Sequence, residues 1–296
     1  MVVGNRLIVG FLISVINIFI ATFSFAGTEI FPAEYIVLPA GTRLISAFYF
    51  HREFSDYYVG GKRAYDGQLR GQALVFAYTQ YGEILGHPNS WSITLPYIKA
   101  EQTAGALPPG FGESAVGLSD LRVTYNFWPI YSPDKGYSLA VSTNVTPPTG
   151  RYDHDQALNA GDNRWILSMQ LGWVEKLSES LYWDFTPEWK RFSTNTDYVA
   201  NYRLRQSDVY SLTTYLRWQP IAGWEFSSGM QLNRGGAQRV DEFDLDNPTN
   251  QQRYFLAARK MLTPLTFFSL RYSQDSRVDN DLKINSDLVF RLGWFF

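Results

Sequence analysis

From about residue 42 to the last residue, the chain alternates apolar and polar side chains with a period of two. Successive side chains of a β-strand point to opposite faces, so each such segment has one apolar face. In the clearest segments the apolar register contains no charged residue, whereas the other register carries polar and charged side chains. An Arg or Lys that faces lipid at the bilayer midplane costs about 2 to 4 kcal/mol. The pattern therefore favours strands that contact lipid over strands of a soluble sandwich.

Twelve alternating segments follow one another, and none shows the 3.6-residue period of an amphipathic helix. The predicted strands cover residues 42–53, 70–83, 89–99, 115–127, 137–147, 165–176, 180–191, 209–218, 224–233, 252–260, 265–275 and 283–296. Short turns and long polar loops alternate between them, as in outer-membrane barrels with tight periplasmic turns and long extracellular loops. The sequence predicts an all-β fold, a transmembrane antiparallel β-barrel of about twelve strands over residues 42–296, with both termini in the periplasm.

Composition agrees with this reading and excludes several classes of protein. Charged residues make up 18% of the chain and aromatic residues 17%, and the formal net charge is -2. The absence of an excess of basic residues argues against a nucleic-acid binder. There is no cysteine, which excludes disulfides, thiolate metal sites and cysteine nucleophiles.

The first residues have the features of an export signal. Arg6 precedes an apolar stretch, and Ser24-Phe25-Ala26 supplies the small-x-small pattern that signal peptidase accepts. We predict a cleaved signal peptide over residues 1–26 and a periplasmic N-terminal segment over residues 27–41. The alternative is an uncleaved anchor helix, since the apolar stretch is just long enough to span a bilayer.

Aromatic residues lie at the ends of the apolar faces. Trp165 and Trp173 are eight residues apart, which gives about 20 Å of height in a tilted strand, close to the roughly 25 Å apolar band between two aromatic girdles. The predicted lipid-interface girdle consists of Trp165, Trp173, Trp183, Trp189, Tyr210, Trp218, Trp224 and Trp294. The terminal Phe296 resembles the signal by which such barrels are recognised for assembly. The predicted partners are therefore outer-membrane lipid, lipopolysaccharide and the barrel-assembly machinery.

Charged residues of the opposite register are candidates for the lumen. Eight strands leave a filled interior and 16 to 18 leave an open pore, so twelve should leave a narrow one. The predicted lumen or constriction residues are Arg122, Asp184, Glu188, Lys190, Arg217, Glu225, Arg271 and Arg291. One hypothesis is that they orient a polar or anionic group of a small-molecule permeant. The alternative, of equal weight, is that they form buried ion pairs that fill and rigidify the barrel.

Three stretches of sequence carry a resemblance to a known family. They are Tyr35-Ile36-Val37-Leu38-Pro39-Ala40-Gly41-Thr42, Pro147-Pro148-Thr149-Gly150-Arg151-Tyr152-Asp153 and Leu158-Asn159-Ala160-Gly161-Asp162-Asn163-Arg164-Trp165. The chain resembles the outer-membrane transporters of the MetA-pathway of phenol degradation family over nearly all of its mature length. The resemblance implies passive, selective uptake of small, often aromatic or hydrophobic, molecules across the outer membrane of a Gram-negative bacterium.

Two other functions are alternatives to transport. A lipid-modifying enzyme needs a base beside its nucleophile, but only His51, His87 and His154 are available, with no G-x-S-x-G or H-E-x-x-H motif around them. Two loops rich in acidic residues, 148–164 and 234–251, lack the spacing of an EF-hand. We therefore predict no enzyme activity, no cofactor and no metal site. A structural or adhesin barrel stays open as a further alternative, because long loops serve binding as readily as gating.

Overall fold

The computed structural model describes residues 29–107 and 112–296. Its strands are β1 (Arg43–Val59), β2 (Lys62–Ile84), β3 (His87–Ala104), β4 (Ser114–Leu118), β5 (Arg122–Ser132), β6 (Tyr137–Thr146), β7 (Ile166–Ser178), β8 (Leu181–Phe192), β9 (Asn195–Tyr198), β10 (Tyr202–Gln206), β11 (Val209–Trp218), β12 (Trp224–Gly235), β13 (Gln238–Val240), β14 (Phe243–Asp244), β15 (Thr249–Thr263), β16 (Thr266–Val278) and β17 (Asp281–Phe295). Short 3₁₀ turns cover Pro133–Lys135 and Val199–Asn201. Within these described ranges, no helix has the length and apolar character needed to cross a bilayer. The predicted signal peptide, residues 1–26, lies outside them and stays a prediction.

The main sheet closes on itself. Its antiparallel order runs β1, β2, β3, β5, β6, β7, β8, β11, β12, β15, β16, β17, and β17 pairs with β1 from Leu44↔Phe295 to Tyr58↔Asp281. Closure leaves no unpaired strand edge in the lipid, which is the condition for a sheet to span a membrane. The predicted all-β, twelve-stranded antiparallel barrel is thus confirmed.

The two ends of the barrel differ. Short connections such as Leu85-Gly86 and residues 219–223 lie at one end, together with Phe296, which we call the turn end. The opposite end, the loop end, carries the longer connections. Two predicted loops are wrong there, because residues 54–69 form a β1–β2 hairpin and much of residues 100–114 is strand. The hairpin has buried apolar residues at Phe54, Tyr57 and Leu69, but register shifts on either side of Tyr57 break their alternation, so the period-two signal is lost although the backbone is extended.

The predicted strand 115–127 is interrupted in the structure. β4 pairs with the part of β3 nearest the loop end, from Tyr97 to Glu101, and β5 pairs with the part nearest the turn end, from Asn89 to Thr94. Residues 119–121 form the break between them. Two other predicted loops fold into a small four-stranded sheet in the order β14, β13, β10, β9, with a core of Tyr198, Leu204, Val240 and Leu245.

The two faces of the wall have the polarity expected of a membrane barrel. Large apolar side chains point outward and are exposed, for example Phe76 at 56%, Leu256 at 63% and Leu292 at 50%. Such a surface is unsuited to water and matches the apolar band of an outer-membrane barrel. The inward register of the same strands carries buried polar and charged residues, among them Ser142, Asn144, Gln170, Thr213 and Ser273.

Residues 29–41 lie inside the barrel, and we call them the N-terminal segment. The expected periplasmic position of residues 27–41 is therefore wrong for its described part. Ile30 and Tyr35 are buried against residues of β5, β6, β7, β11 and β15. At the turn end, Gly41 adopts a left-handed φ of 90° and its N–H donates to Tyr81 O at 2.9 Å, which reverses the chain from the lumen into β1.

Candidate functional site

The N-terminal segment is fastened to the inner wall by hydrogen bonds to its backbone. The Ala33 N–H donates to Asp184 Oδ2 at 2.9 Å, and the Tyr215 hydroxyl donates to Ile30 O at 2.9 Å. The Trp128 indole N–H donates to Tyr35 O at 3.2 Å. These groups come from β8, β11 and β5, so the segment is held from several sides of the lumen. An irregular backbone is tolerated at membrane depth when protein groups satisfy it in this way.

Tyr35 fits against a position where the wall has no side chain. Its hydroxyl donates to Gln170 Oε1 of β7. A Cβ added at Gly172, two residues along the same inward register, would stand 2.2 Å from the Tyr35 ring. Real Cβ contacts are never that short, so glycine at 172 is a requirement of the seated ring.

An ionic cluster holds the start of the segment. Glu29 contacts Arg52 at 2.5 Å, Arg271, and Arg253 at 3.9 Å. Asp287 contacts Arg52 at 3.1 Å and Arg271 at 3.2 Å, and Asp275 contacts Arg253 at 2.8 Å. Three arginines thus face three carboxylates, and all six side chains are largely buried. We call this group the Glu29 cluster.

A second ionic cluster lies between β8, β11, β12 and β15. Arg217 contacts Asp184 at 2.8 Å and Glu225 at 2.7 Å, and Arg259 contacts Glu225 at 3.1 Å. The Gln219 side chain donates to the same Glu225 oxygen at 2.7 Å. Asp184 therefore serves both the cluster and the segment, because its second role is to accept the Ala33 N–H.

The predicted lumen set is divided among several places in the structure. Asp184, Arg217 and Glu225 are together in the second cluster, and Arg271 belongs to the Glu29 cluster. Glu188 and Lys190 form a pair at 3.9 Å, with Glu188 also accepting hydrogen bonds from Ser168 and Gln170. Arg122 and Arg291 line the space that the segment leaves open. For the clustered residues the contacts favour the ion-pair alternative over a constriction.

Sequence reasoning left Glu29 and Arg52 out of the site. Arg52 could have been found, because it occupies the inward register of the first predicted strand, in step with Phe48 and Phe50. Glu29 had no comparable signal. It precedes the barrel, and its partners lie 23 to 242 residues away in the chain.

The space beside the segment is small and has two unlike walls. Its volume is about 90 Å³, whereas pockets for drug-sized ligands measure roughly 300 to 1,000 Å³. Phe31 of the segment and Phe48 and Phe50 of β1 form one wall, with ring centroids 5.3 to 6.5 Å apart. The facing wall is polar, and it includes Thr124, Asn126, Ser142 and Asn144 of β5 and β6. The space beside the segment is therefore narrow and amphipathic.

The loop between β6 and β7 is anchored at the break between β4 and β5. Asp120, which is 2% exposed, accepts the N–H groups of Thr149 at 2.8 Å, Gly150 at 2.7 Å and Asp162 at 2.6 Å. The Arg151 N–H donates to Leu118 O at 2.8 Å. Two of the three family-like stretches thus meet on one carboxylate, which fixes the loop to the interrupted wall.

The predicted girdle residues occupy the outward register at both ends of the barrel. Trp165, Tyr210, Trp218 and Trp294 are 51 to 59% exposed. Trp173, Trp183 and Trp189 are half-buried, and their indole N–H groups donate to Glu175, Thr214 and Asp208. Trp224 stacks on Phe226 with ring centroids 5.6 Å apart. One polar and one apolar side suits these rings to a membrane interface, and their contact with lipid stays a prediction.

The three histidines are far from forming a catalytic triad with a serine. His51 contacts Glu53 at 3.1 Å, His87 contacts the Trp128 carbonyl at 3.3 Å, and His154 lies 3.4 and 3.5 Å from Asp155 and Asp197. In the part of the chain that the structure describes, no group of three or more His, Asp or Glu side chains is arranged to hold a metal ion.

Comparison with known proteins gives one family and a set of similar barrels. A family model described as "Putative MetA-pathway of phenol degradation" matches residues 55–286. The crystal structure of the COG4313 outer membrane channel from Pseudomonas putida F1 is similar with a TM-score of 0.86 and 22% identity, covering 90% of this chain and 100% of that one. The β domain of the Bordetella autotransporter BrkA is similar with a TM-score of 0.56 and 13% identity, covering 87% and 100%. None of the curated proteins searched matches the sequence.

Proposed function

Since the chain belongs to the MetA-pathway of phenol degradation family, we propose that it is an outer-membrane channel for passive, selective uptake of small molecules with an apolar or aromatic body. The fold is that of outer-membrane channels, and the apolar outer band suits the outer membrane of a Gram-negative bacterium. The observation that carries the proposal is the lumen itself. It is occluded by a segment of the same chain, and the remaining space joins a phenylalanine wall to a polar wall.

Occlusion distinguishes this protein from a general porin. A general porin leaves an aqueous channel through which any small solute diffuses, whereas here about 90 Å³ stays open beside the segment. Passage of an organic molecule requires the segment to move, so the segment sets which solutes pass. The solved channel from Pseudomonas putida F1 supports this choice of function by its fold alone.

Uptake is preferred to catalysis because the chemistry for hydrolysis is not assembled. No serine hydroxyl bonds to a histidine among the described residues, and a serine nucleophile needs such a base. A structural or adhesin barrel is the second candidate function. The observation that favours it is the small sheet of β9, β10, β13 and β14, which gives the long loops a folded surface.

Partners follow from the outer surface and the last strand. We propose that outer-membrane lipid and lipopolysaccharide contact the exposed apolar band and its aromatic ends. The chain ends in outward Leu292 and Trp294 and then Phe296, a pattern suited to recognition by the barrel-assembly machinery. Phe296 also closes the sheet, because its N–H and carbonyl both bond to Arg43.

Single-channel recording of residues 27–296 in a planar bilayer tests the proposal. We expect small, discrete conductance that is blocked when a neutral monoaromatic solute is added, and swelling of proteoliposomes in that solute. As a control for folding, the protein should shift its mobility on heating in detergent, as closed barrels do. A correctly folded barrel that passes neither ions nor aromatic solutes would contradict the channel function and would favour the adhesin candidate.

A further inference from the structure

Arg291 differs from five other arginines that project into the lumen. Arg52, Arg217, Arg253, Arg259 and Arg271 each lie within 4 Å of at least one carboxylate. In residues 29–107 and 112–296, Arg291 has no carboxylate within that distance, and its hydrogen bonds go to the Ser46 hydroxyl, from Nε at 3.2 Å and Nη2 at 3.1 Å. A partly buried charge inside a protein is normally neutralised by a partner. The position is therefore short of one anion.

The guanidinium of Arg291 has hydrogen-bonding capacity beyond its contacts to Ser46. A guanidinium has five N–H groups in a planar fork, and two of them are used on Ser46. The end formed by Nη1 and the second Nη2 hydrogen is left for a further acceptor, and Arg291 is one of the residues that line the cavity beside the segment. Such an end binds both oxygens of a carboxylate at once, which is the strong, charge-assisted arrangement.

Aromatic rings surround the same group. The guanidinium carbon of Arg291 lies 4.8 Å from the Phe48 ring centroid and 5.1 Å from that of Phe267. Phe48 is in turn 5.3 Å from Phe31. An apolar wall therefore begins next to the unneutralised charge, so a ligand that meets both has an anionic head and an aromatic body.

The N-terminal segment carries a carboxylate of its own into this space. Glu34 lines the cavity and attracts the guanidinium groups of both Arg122 and Arg291. It forms no ion pair within 4 Å among the residues the structure describes, so it acts on Arg291 only from a distance and leaves the guanidinium without a contacting anion. The cavity of about 90 Å³ is smaller than the roughly 150 Å³ of an engineered cavity that holds benzene. A ring can enter only when the segment gives way, and Glu34 then leaves with it.

From these contacts we infer that the lumen selects monoaromatic carboxylates, whose carboxylate binds Arg291 in place of the distant Glu34 and whose ring packs on Phe48. The inference rests on the proposed channel function and names the substrate class of the same site. Neutral aromatic molecules share the apolar wall but leave Arg291 without its anion.

Paired solutes test the selection. Benzoate and benzamide have nearly the same shape and differ in charge, so we measure the concentration of each that blocks the current through the folded chain 27–296. The wild type should be blocked by benzoate at a concentration at least about 10-fold lower than by benzamide. Arg291→Gln should remove that difference while leaving the block by benzamide, and Glu34→Gln should strengthen the block by benzoate alone.

Two further variants keep the result interpretable. Arg291→Lys retains the charge without the planar fork, so it should retain part of the preference for benzoate. If Arg291→Gln does not give a heat-modifiable barrel, the benzoate preference of Arg291→Lys is the test of the inference. Arg43→Gln is the matched control, because this exposed arginine lies on the outward register of β1 beside the Phe296 ring at 5.9 Å. An unchanged benzoate preference in both Arg291 variants would overturn the inference while the channel function stands. Absence of block and permeation by both solutes would instead count against the channel function.

Discussion

The strongest single test of the occluded lumen is the substitution Glu29→Gln. The side chain keeps its size and loses the charge that faces Arg52, Arg253 and Arg271. Removing one partner from a buried ion pair costs about 3 to 5 kcal/mol when the other charge is left uncompensated. Here Arg52 and Arg271 retain Asp287, and Arg253 retains Asp275. We therefore expect the substitution to destabilise the seated position of the segment by the lower figure, about 3 kcal/mol.

That free energy predicts a measurable change in exposure of the segment. Each 1.4 kcal/mol is a factor of ten in an equilibrium constant, so the released fraction should rise about 100-fold. The chain has no native cysteine, and Ala33 is small and 7% exposed, so Ala33→Cys places one reporter thiol on the segment. In the Glu29→Gln background a water-soluble maleimide should label this thiol about 100-fold faster, and the open-channel time should rise with it.

A matched control separates release of the segment from general loosening of the barrel. Glu225→Gln removes a buried lumenal carboxylate that contacts Arg217 and Arg259, with no contact to the segment. It should leave the labelling rate of Ala33→Cys close to that of the parent. If Glu29→Gln labels no faster than the parent, the Glu29 cluster does not hold the segment and the reasoning is refuted.

Three smaller predictions follow from other contacts. Gly172→Ala should expel the Tyr35 ring and raise conductance, because the new Cβ would lie 2.2 Å from that ring. In the control variant Gly293→Ala the new Cβ would lie 2.2 Å from Phe267 instead, so conductance should not rise. Asp120→Asn should weaken the β6–β7 loop anchor by about 1 to 3 kcal/mol and speed tryptic cleavage at Arg151, whereas Asp155→Asn, whose side chain is 87% exposed, should leave the rate unchanged. Hydrogen bonds from Arg277 and Asn250 lower the pKa of Asp279. Ionised Asp279 therefore stabilises the β16–β17 connection at and above the ordinary carboxyl pKa, and this stabilisation is lost only as the pH falls through the lowered pKa. A carbon NMR titration that gives an ordinary or raised pKa for Asp279 would contradict this.

The sequence predicts those parts of the fold that a bilayer constrains. Twelve strands with an uncharged face follow from the cost of a charge in lipid, and that cost acts on every lipid-facing position. The β1–β2 hairpin between Phe54 and Leu69 escapes this rule, because register shifts on either side of Tyr57 interrupt the alternation of its buried apolar residues. The break at Asp120 escapes this rule as well. An acid within a strand pattern does not by itself indicate an interruption, and the two loop stretches that Asp120 anchors are distant in the sequence.

The interior is less predictable because its contacts are long-range. Arg217 and Glu225 lie on neighbouring strands of one hairpin, and their pairing is readable from register. Glu29 meets Arg271 across 242 positions of sequence, and period-two reasoning says nothing about a residue that lies outside a strand. The unneutralised state of Arg291 is still harder to foresee, since it depends on which other arginines have taken the available carboxylates.

The Glu29 cluster also has a consequence for how the barrel is made. Arg52 lies on β1, whereas Arg271 and Asp287 lie on β16 and β17, so the residues that grip Glu29 come from both sides of the junction where the first strand meets the last. The complete site does not exist until that junction has formed. Full seating of the segment therefore follows closure of the barrel, and the segment narrows the lumen only from that moment.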